Sequence, residues 1–430
     1  MKKLIFLSLL AFSLAAPART WNLDSCINYA IENNINVKQQ KLSQLQGELE
    51  VTDAKDRFLP QISGYASESF SFGRGLTADN TYANRNTNSF SVGASLNLPI
   101  FQGLSAIRRL SYSRTNLKAL LEQTEAAKDD VTLNVISQYL QALYASEVLR
   151  VARINLEISK NELMRRRELL AAGKIPELDI FEAEAAVSND ELSVTQAAND
   201  SVLAVLELSQ LLNLPDAEGF EIEPLEDGKP FIEEPETVFA NAWANNHSVR
   251  AGRLQEEAAK KNVLVAKSSY IPTLSFSAGI GTNYYKTSGF SNENFGAQMR
   301  HNFAKQLGFS LSVPIFDAFS TRNNVKRARL QQENARLSLE NTRNQLYKSI
   351  MQAYTQAVGA AKKQESSEKA VASARAAFEA MQVKYNNARA NNTEFEKAKS
   401  DYTSAMIQEV QARYERILRA RILQFYNKQN

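Results

Sequence analysis

The sequence predicts a mainly α-helical chain with a β-barrel portion: long antiparallel coiled-coil helices joined to four strands. Two strictly alternating segments point to the barrel. In the first, Phe90, Val92, Ala94, Leu96, Leu98 and Ile100 alternate with Ser89, Ser91, Gly93, Ser95, Asn97 and Pro99. In the second, Leu307, Phe309, Leu311, Val313 and Ile315 alternate with Gly308, Ser310, Ser312 and Pro314. Period-two alternation puts every apolar side chain on one strand face. The opposite face carries small polar residues, which suits a wet lumen and not a packed core. A second observation is duplication: Leu98-Pro99-Ile100-Phe101 and Val313-Pro314-Ile315-Phe316 stand 215 residues apart. The third is length, because each copy then runs into a helix too long for a globular core.

The chain opens as an export signal. Lys2 and Lys3 precede the apolar run Leu4 to Leu14, and Ala16-Pro17-Ala18 offers a small-x-small cleavage site, so residues 1–18 read as a signal peptide. The first repeat then covers 19–212. A short helix near Asp24 to Asn33 is capped by Asn22 or Asp24, and a second runs from Ile35 to Phe58 and stops at Pro60. A hairpin over 61–101 follows. Its first strand points Ile62, Gly64, Ala66, Phe70 and Phe72 one way and Ser63, Tyr65, Ser67, Ser69 and Ser71 the other, with Glu68 out of place. The loop Gly73 to Asn88 is rich in Gly, Asn and Thr and reads as the hairpin tip.

From Ser105 to Ala172 there is no proline or glycine, which allows a helix of about 100 Å at 1.5 Å per residue. Leu149, Leu156, Leu163 and Leu170 recur every seventh residue within it, a coiled-coil seam. Gly173 stops this helix and Pro176 starts the return helix over 178–212. Residues 213–235, acidic and holding Pro215, Pro224, Pro230 and Pro235, read as a linker. The second repeat, 236–430, restates the order. Short helices cover Pro235 to Asn245 and Ser248 to Ser269, followed by a hairpin over 272–316 with a polar loop from Lys286 to Lys305. A long helix spans 320–387 and a return helix 395–426. In the second long helix Val371, Phe378 and Tyr385 stand 215 residues beyond Leu156, Leu163 and Leu170. Four strands cannot close a barrel with a pore, because even eight-stranded barrels fill with side chains. Three chains would supply twelve.

Composition excludes several classes. Fifty basic and 47 acidic residues nearly cancel to +3, which gives no footprint for nucleic acid. The single cysteine, Cys26, allows no internal disulfide, and the preceding Leu23-Asp24-Ser25 suits a half-buried helix residue better than a lipidation site. No segment after the signal holds the roughly 18 apolar residues of a membrane helix; the best, Ser201 to Leu212, is interrupted by Glu207. An exported chain without such helices spans a bilayer only as a closed barrel. His247 and His301 lie far apart and lack ligand-spaced partners, so neither a metal site nor an enzyme site is expected, and no cofactor.

The words Trp21-x-Leu23, Ala30 to Asn33, Leu59-Pro60, Ile271-Pro272, the Pro-Ile-Phe strand exits and the Gly173 turn occur in duplicated order. Together they resemble the TolC family of outer-membrane efflux proteins over essentially the whole mature chain. Gly73-Arg74-Gly75 is similar to the Bacteroidetes branch. The resemblance implies a homotrimer sharing one 12-stranded barrel in outer-membrane lipid, with a helical tunnel extending into the periplasm. It also implies passive export, powered by an inner-membrane RND or ABC transporter through a periplasmic adaptor protein. It assigns Asp179 and Glu394, which correspond at the 215 offset, to the pore gate and its selectivity. Tyr385 and Arg389 would hold the gate closed, and Gly173, Lys174, Ala388 and Arg389 would dock the adaptor. Pro60, Pro99, Pro272 and Pro314 would mark barrel–helix junctions. Asp179 and Glu394 are equally first-turn acids favoured by a helix dipole. Tyr385 is equally a packing residue. Ala388 stands where the family has glycine, and its neighbours Asn386, Asn387, Asn391 or Asn392 are expected to take the left-handed conformation instead. A type I protein secretion outlet, a metal-efflux outlet and a non-pore periplasmic scaffold are the rival readings.

Overall fold

Asn22 starts the first helix, its side-chain oxygen accepting the Ser25 amide at 2.8 Å. In this computed structural model residues 20–76, 80–214, 220–225 and 232–427 are described; the signal peptide and Pro215 and Pro230 of the linker lie outside them. In chain order, β1 (Thr20–Trp21), α1 (Leu23–Asn33) and α2 (Ile35–Asp56) precede β2 (Gln61–Ser71), β3 (Arg74–Leu76), β4 (Tyr82–Asn84) and β5 (Thr87–Gln102). The first long helix, α3 (Ser105–Ala171), returns as α4 (Leu178–Leu212). The second copy comprises β6 (Glu221–Ile222), α5 (Pro235–Asn245), α6 (His247–Lys267), β7 (Thr273–Thr287), α7 (Phe295–His301) and β8 (Ala304–Ser312). It ends with α8 (Ser320–Asn386) and α9 (Asn392–Asn427).

Contacts divide the chain into two compact units that cut across the sequence repeats. One draws on 1–41, 124–247 and 343–430, the other on 42–123 and 248–342. Each unit is therefore built from both copies.

The second unit holds an antiparallel sheet in the order β2-β5-β7-β8. Its register carries the alternation across all four strands. Ile62 pairs with Leu96, Leu96 with Ala278 and Ala278 with Leu307, while Ser63, Ser95, Gly279 and Gln306 form the neighbouring row. One face is thus apolar and the other small and polar. The apolar face is bare: Ile62 is 72% exposed and Leu307 78%. Glu68 does not break β2, because Asn88 Nδ2 donates to its carboxylate at 3.3 Å. On the polar face Tyr65 lies over Gly93, where an added Cβ would come within 2.8 Å of the phenol oxygen and 2.6 Å of the Ile280 carbonyl. A side chain there would have to displace sheet backbone, so glycine is required.

Two expectations about the strands need correction. β8 ends at Ser312, short of Pro314 and Phe316, because its partner β7 begins only at Thr273, which pairs with Ser312. In the first copy a register shift between Pro99 and Phe101 lets β5 continue to Gln102. The loop from Lys286 to Lys305 also contains α7, capped by Asn294, whose side chain accepts the Ala297 amide. Gln298 on α7 accepts the Tyr285 amide and donates to its carbonyl, clipping the helix to β7.

Both strand exits turn into helices through paired left-handed residues. These are Gly103 and Leu104 in copy one (φ 59° and 67°) and Ala318 and Phe319 in copy two (52° and 65°). Gly103 has no alternative, since a Cβ would meet the Ser268 carbonyl at 2.8 Å.

The first unit has its own core, in which Cys26, Val37, Val135, Tyr139, Leu208 and Leu212 are buried. Part of the linker belongs to it. β6 pairs in parallel with β1, and the Tyr139 hydroxyl donates to the carbonyls of Trp21 (3.0 Å) and Glu223 (2.6 Å). That accounts for the Trp21-x-Leu23 word. Burial pushes the Cys26 thiol up to about 12, so it behaves as a small apolar residue.

Candidate functional site: the helical hairpin turns

The turn between α3 and α4 is closed by two amides, Gly173 N on Leu170 O (2.8 Å) and Lys174 N on Leu169 O (2.9 Å). The turn between α8 and α9 repeats this pattern, with Ala388 N on Tyr385 O (3.0 Å) and Arg389 N on Lys384 O (2.8 Å). Both are Schellman endings, which place the residue after the helix in the left-handed region. Gly173 has φ 66°, and Ala388 itself has φ 57°. The expectation that a neighbouring asparagine supplies this conformation is therefore corrected: the hydrogen-bond pair fixes which residue must turn. A methyl-bearing residue there costs about 1–2 kcal/mol. Ala388→Gly should accordingly raise stability by about 0.5–1 kcal/mol after the entropy that glycine loses, measured as a higher thermal midpoint.

Two hydrogen bonds decide what Glu394 does locally. Its carboxylate accepts the Asn391 amide at 2.9 Å, and its amide donates to Asn391 Oδ1 at 2.8 Å. This reciprocal pair is a capping box. Asp179 sits in the first turn of α4, which lacks a side-chain cap, and its carbonyl accepts Arg166 Nη1 at 2.9 Å.

Tyr385 joins a network whose other members, Glu162 and Arg166, neither the seam nor the resemblance marks. Its hydroxyl donates to Glu162 Oε1 at 2.9 Å and accepts Arg166 Nη2 at 3.0 Å. Its ring stacks on Phe395 at 4.7 Å, and the Arg165 guanidinium lies 4.8 Å from its centroid. Arg166 also binds Glu162 at 2.9 Å and donates to Asn392 Oδ1. The Arg166 side chain is only 4% exposed. Burial opposes its charge, yet hydrogen bonding and charge from Glu162, with Tyr385, hold its pKa above the ordinary guanidinium value. Burial and the Glu162 carboxylate together raise that of Tyr385. Arg389 is exposed and makes no side-chain hydrogen bond or ion pair among the described residues, so the structure does not bring it together with Tyr385.

One helical turn further along α3 a second polar layer begins. Asp190 on α4 accepts Asn155 Nδ2 at 2.7 Å, the Ser159 hydroxyl, and Lys399 Nζ at 2.9 Å. Lys399 also donates to Ser159, and Thr403 donates to Asn155 Oδ1 at 2.9 Å. The signal was present in the sequence as polar residues at heptad core spacing, Asn155, Ser159, Glu162 and Arg166. The leucine seam masked it, and those leucines are only half-buried.

Among the described residues no helix is long and apolar enough to cross a membrane. The profile of the family described as "Outer membrane efflux protein" matches residues 26–214 and 238–425. The chain belongs to that family. It is 24% identical to outer membrane protein TolC of Vibrio cholerae over 76% of this chain and 73% of that protein. It is 21% identical to the outer membrane efflux protein BepC of Brucella suis, over 70% of this chain but only 62% of the relative's length. Among solved structures, the Campylobacter jejuni CmeC outer membrane channel covers 94% of this chain with a TM-score of 0.80 at 17% identity. The open-state MtrE channel of Neisseria gonorrhoeae also covers 94%, with a TM-score of 0.73. These likenesses establish the TolC-like fold, a helical portion with a barrel contribution.

Proposed function

We propose that three copies of this chain form one outer-membrane exit duct, passively conducting small molecules from a periplasmic adaptor and an inner-membrane RND or ABC pump to the exterior. The carrying observation is the two-faced, four-stranded sheet. Its outer strands, β2 and β8, are each paired on one side only within the chain. On these outer strands its apolar face is exposed, at Ile62, Phe70, Leu307, Phe309 and Leu311. Open strand edges are incompatible with lipid until other strands close the sheet, and a bare apolar face is incompatible with water. Three copies give twelve strands, enough to enclose water. A periplasmic scaffold without a pore would have no use for this surface. The duct is common to drug, protein and metal export.

The turns at Gly173, Lys174, Ala388 and Arg389 are the proposed adaptor contacts, being hairpin ends that are exposed among the described residues. Asp179 and Glu394 are the proposed cation-selective ring. Acidic rings attract cations only where the passage is narrow, since charge is screened over about 8 Å at physiological salt. Single-channel recording in planar bilayers tests this. Asp179→Asn and Asp179→Asn/Glu394→Gln channels should lose cation preference, most in the double variant. The Glu394→Gln change alone should act more weakly, because that carboxylate is already engaged in its capping box. Parent-like selectivity in all three, with assembly intact, would reduce both acids to helix-start residues.

A further inference from the structure

In the rows that all four strands share, the polar face of the sheet carries no charged residue and a single aromatic one, Tyr65. Tyr285, the other aromatic residue on this face, pairs with Ser89 beyond the start of β8. Tyr65 stands opposite Gly93, Gly93 opposite Gly281, and Gly281 opposite Ala304. The rows on either side hold larger residues at these places. Ser63 lies in line with Ser95, Gly279 and Gln306, and Ser67 with Ser91 and Asn283. Among the described residues, the Tyr65 row alone has glycine on both inner strands of the sheet.

The ring occupies that gap. A Cβ on Gly93 would come within 2.8 Å of the Tyr65 hydroxyl oxygen and 2.9 Å of Cζ, and one on Gly281 within 3.2 Å of the same oxygen. The side chain therefore lies along the wall, across β5 and as far as β7. Strand side chains ordinarily stand roughly perpendicular to their sheet. Gly279, one row away on the same face, has no such neighbour, since its Cβ would meet only the Ala94 carbonyl, at 3.8 Å.

Glycine inside a strand loses conformational entropy on folding and offers no side chain to pack. Two glycines side by side are explained by what lies on them. The ring shields backbone that would otherwise face water, as aromatic residues do over sheet glycines. It is also folded out of the space in front of the sheet. In a symmetric duct of three chains, three Tyr65 rings share one height. Lying flat they leave the lumen clear, whereas standing out they would converge in it.

We propose that the trough of Gly93 and Gly281 holds Tyr65 flat against the wall, and that this row thereby sets the widest cargo the barrel admits. The proposal rests on the duct reading and adds a size limit within the barrel, separate from the helical turns. Gly93 and Gly281 are positioning residues that act through the Tyr65 ring.

Bilayer recording with polyethylene glycols of increasing size on the extracellular side finds the largest polymer that enters the barrel. Gly281→Val fills the trough and should lift the ring, shifting the exclusion limit to smaller polymers. Gly279→Val adds the same side chain to the same face without meeting the ring, and it should keep the parent's limit. Gly281→Val/Tyr65→Ser should restore that limit. Equal limits in the two valine variants, or a narrowed limit that persists in the double variant, would overturn the proposal. Should Gly281→Val fail to assemble, Gly281→Ala and Gly279→Ala make the same comparison. The thermal midpoint of the same proteins reports the pose of the ring independently of transport. Gly281→Val should lower it by less when Tyr65→Ser is present, and an equal loss in both backgrounds would mean that the ring does not lie in the trough. If the parent itself does not conduct, the duct reading fails instead, and the midpoints still judge the trough.

Discussion

Leu96→Arg should destabilise the membrane-embedded sheet by about 2–4 kcal/mol, whereas Ser95→Arg, one residue away, should leave stability nearly unchanged and reduce conductance. Leu96 lies in the apolar row with Ile62 and Ala278 on its two sides, and Ser95 lies in the polar row with Ser63 and Gly279. The Ser95 hydroxyl already shares a hydrogen bond with that of Ser63 at 2.9 Å on the opposite face. Burying a guanidinium in hydrocarbon sacrifices its hydration, while a charge facing water keeps it. Leu311→Arg and Ser310→Arg should repeat the contrast in the second copy. The check is refolding into lipid vesicles followed by denaturant titration. Equal damage from both faces would mean that the sheet is not sided as described.

The second large effect lies at the helical turns. Glu162→Ala should cost about 3–5 kcal/mol by leaving the buried Arg166 guanidinium without its carboxylate. Tyr385→Phe should cost less, about 1 kcal/mol, because Arg166 retains Glu162, Asn392 and the Asp179 carbonyl. The thermal midpoint of the purified protein and the exchange rates of amides near the turns report both losses. In a duct closed at these turns, conductance should rise in the same order. A Glu162→Ala protein as stable as the parent would show that Arg166 draws its stabilisation elsewhere.

Much of this architecture is written in local sequence. Period-two alternation located the strands, and the absence of proline and glycine located the long helices. Gly173 marked the first turn because only a left-handed residue completes a Schellman ending. The same logic gave the wrong answer at Ala388. There the hydrogen bonds to Tyr385 and Lys384 dictate the backbone, and an alanine is forced into a conformation it disfavours. The end of β8 was also misjudged, because strand length depends on a partner, and β7 offers none beyond Thr273. α7 is a seven-residue helix held by one capping asparagine and by Gln298, too short for periodicity to reveal. At the candidate site, Tyr385 was legible through its repeat position, but Glu162, Arg166 and the Asp190–Lys399 pair were not. Polar residues at heptad spacing look like a solvated face until the packing of three helices shows that face to be inside. Arg389 illustrates the converse, a charged residue adjacent to the network in sequence but outside it in space.

One chain should supply a third of a shared twelve-stranded barrel. That share is tested most directly by the mass of the protein extracted from outer membranes in mild detergent, measured by native mass spectrometry alongside conductance of the same preparation. A four-stranded sheet with two open edges predicts a particle of three chains, each the 48.0 kDa precursor less its signal peptide, that conducts ions as a unit. A stable single chain that inserts into bilayers and conducts on its own would contradict the shared barrel.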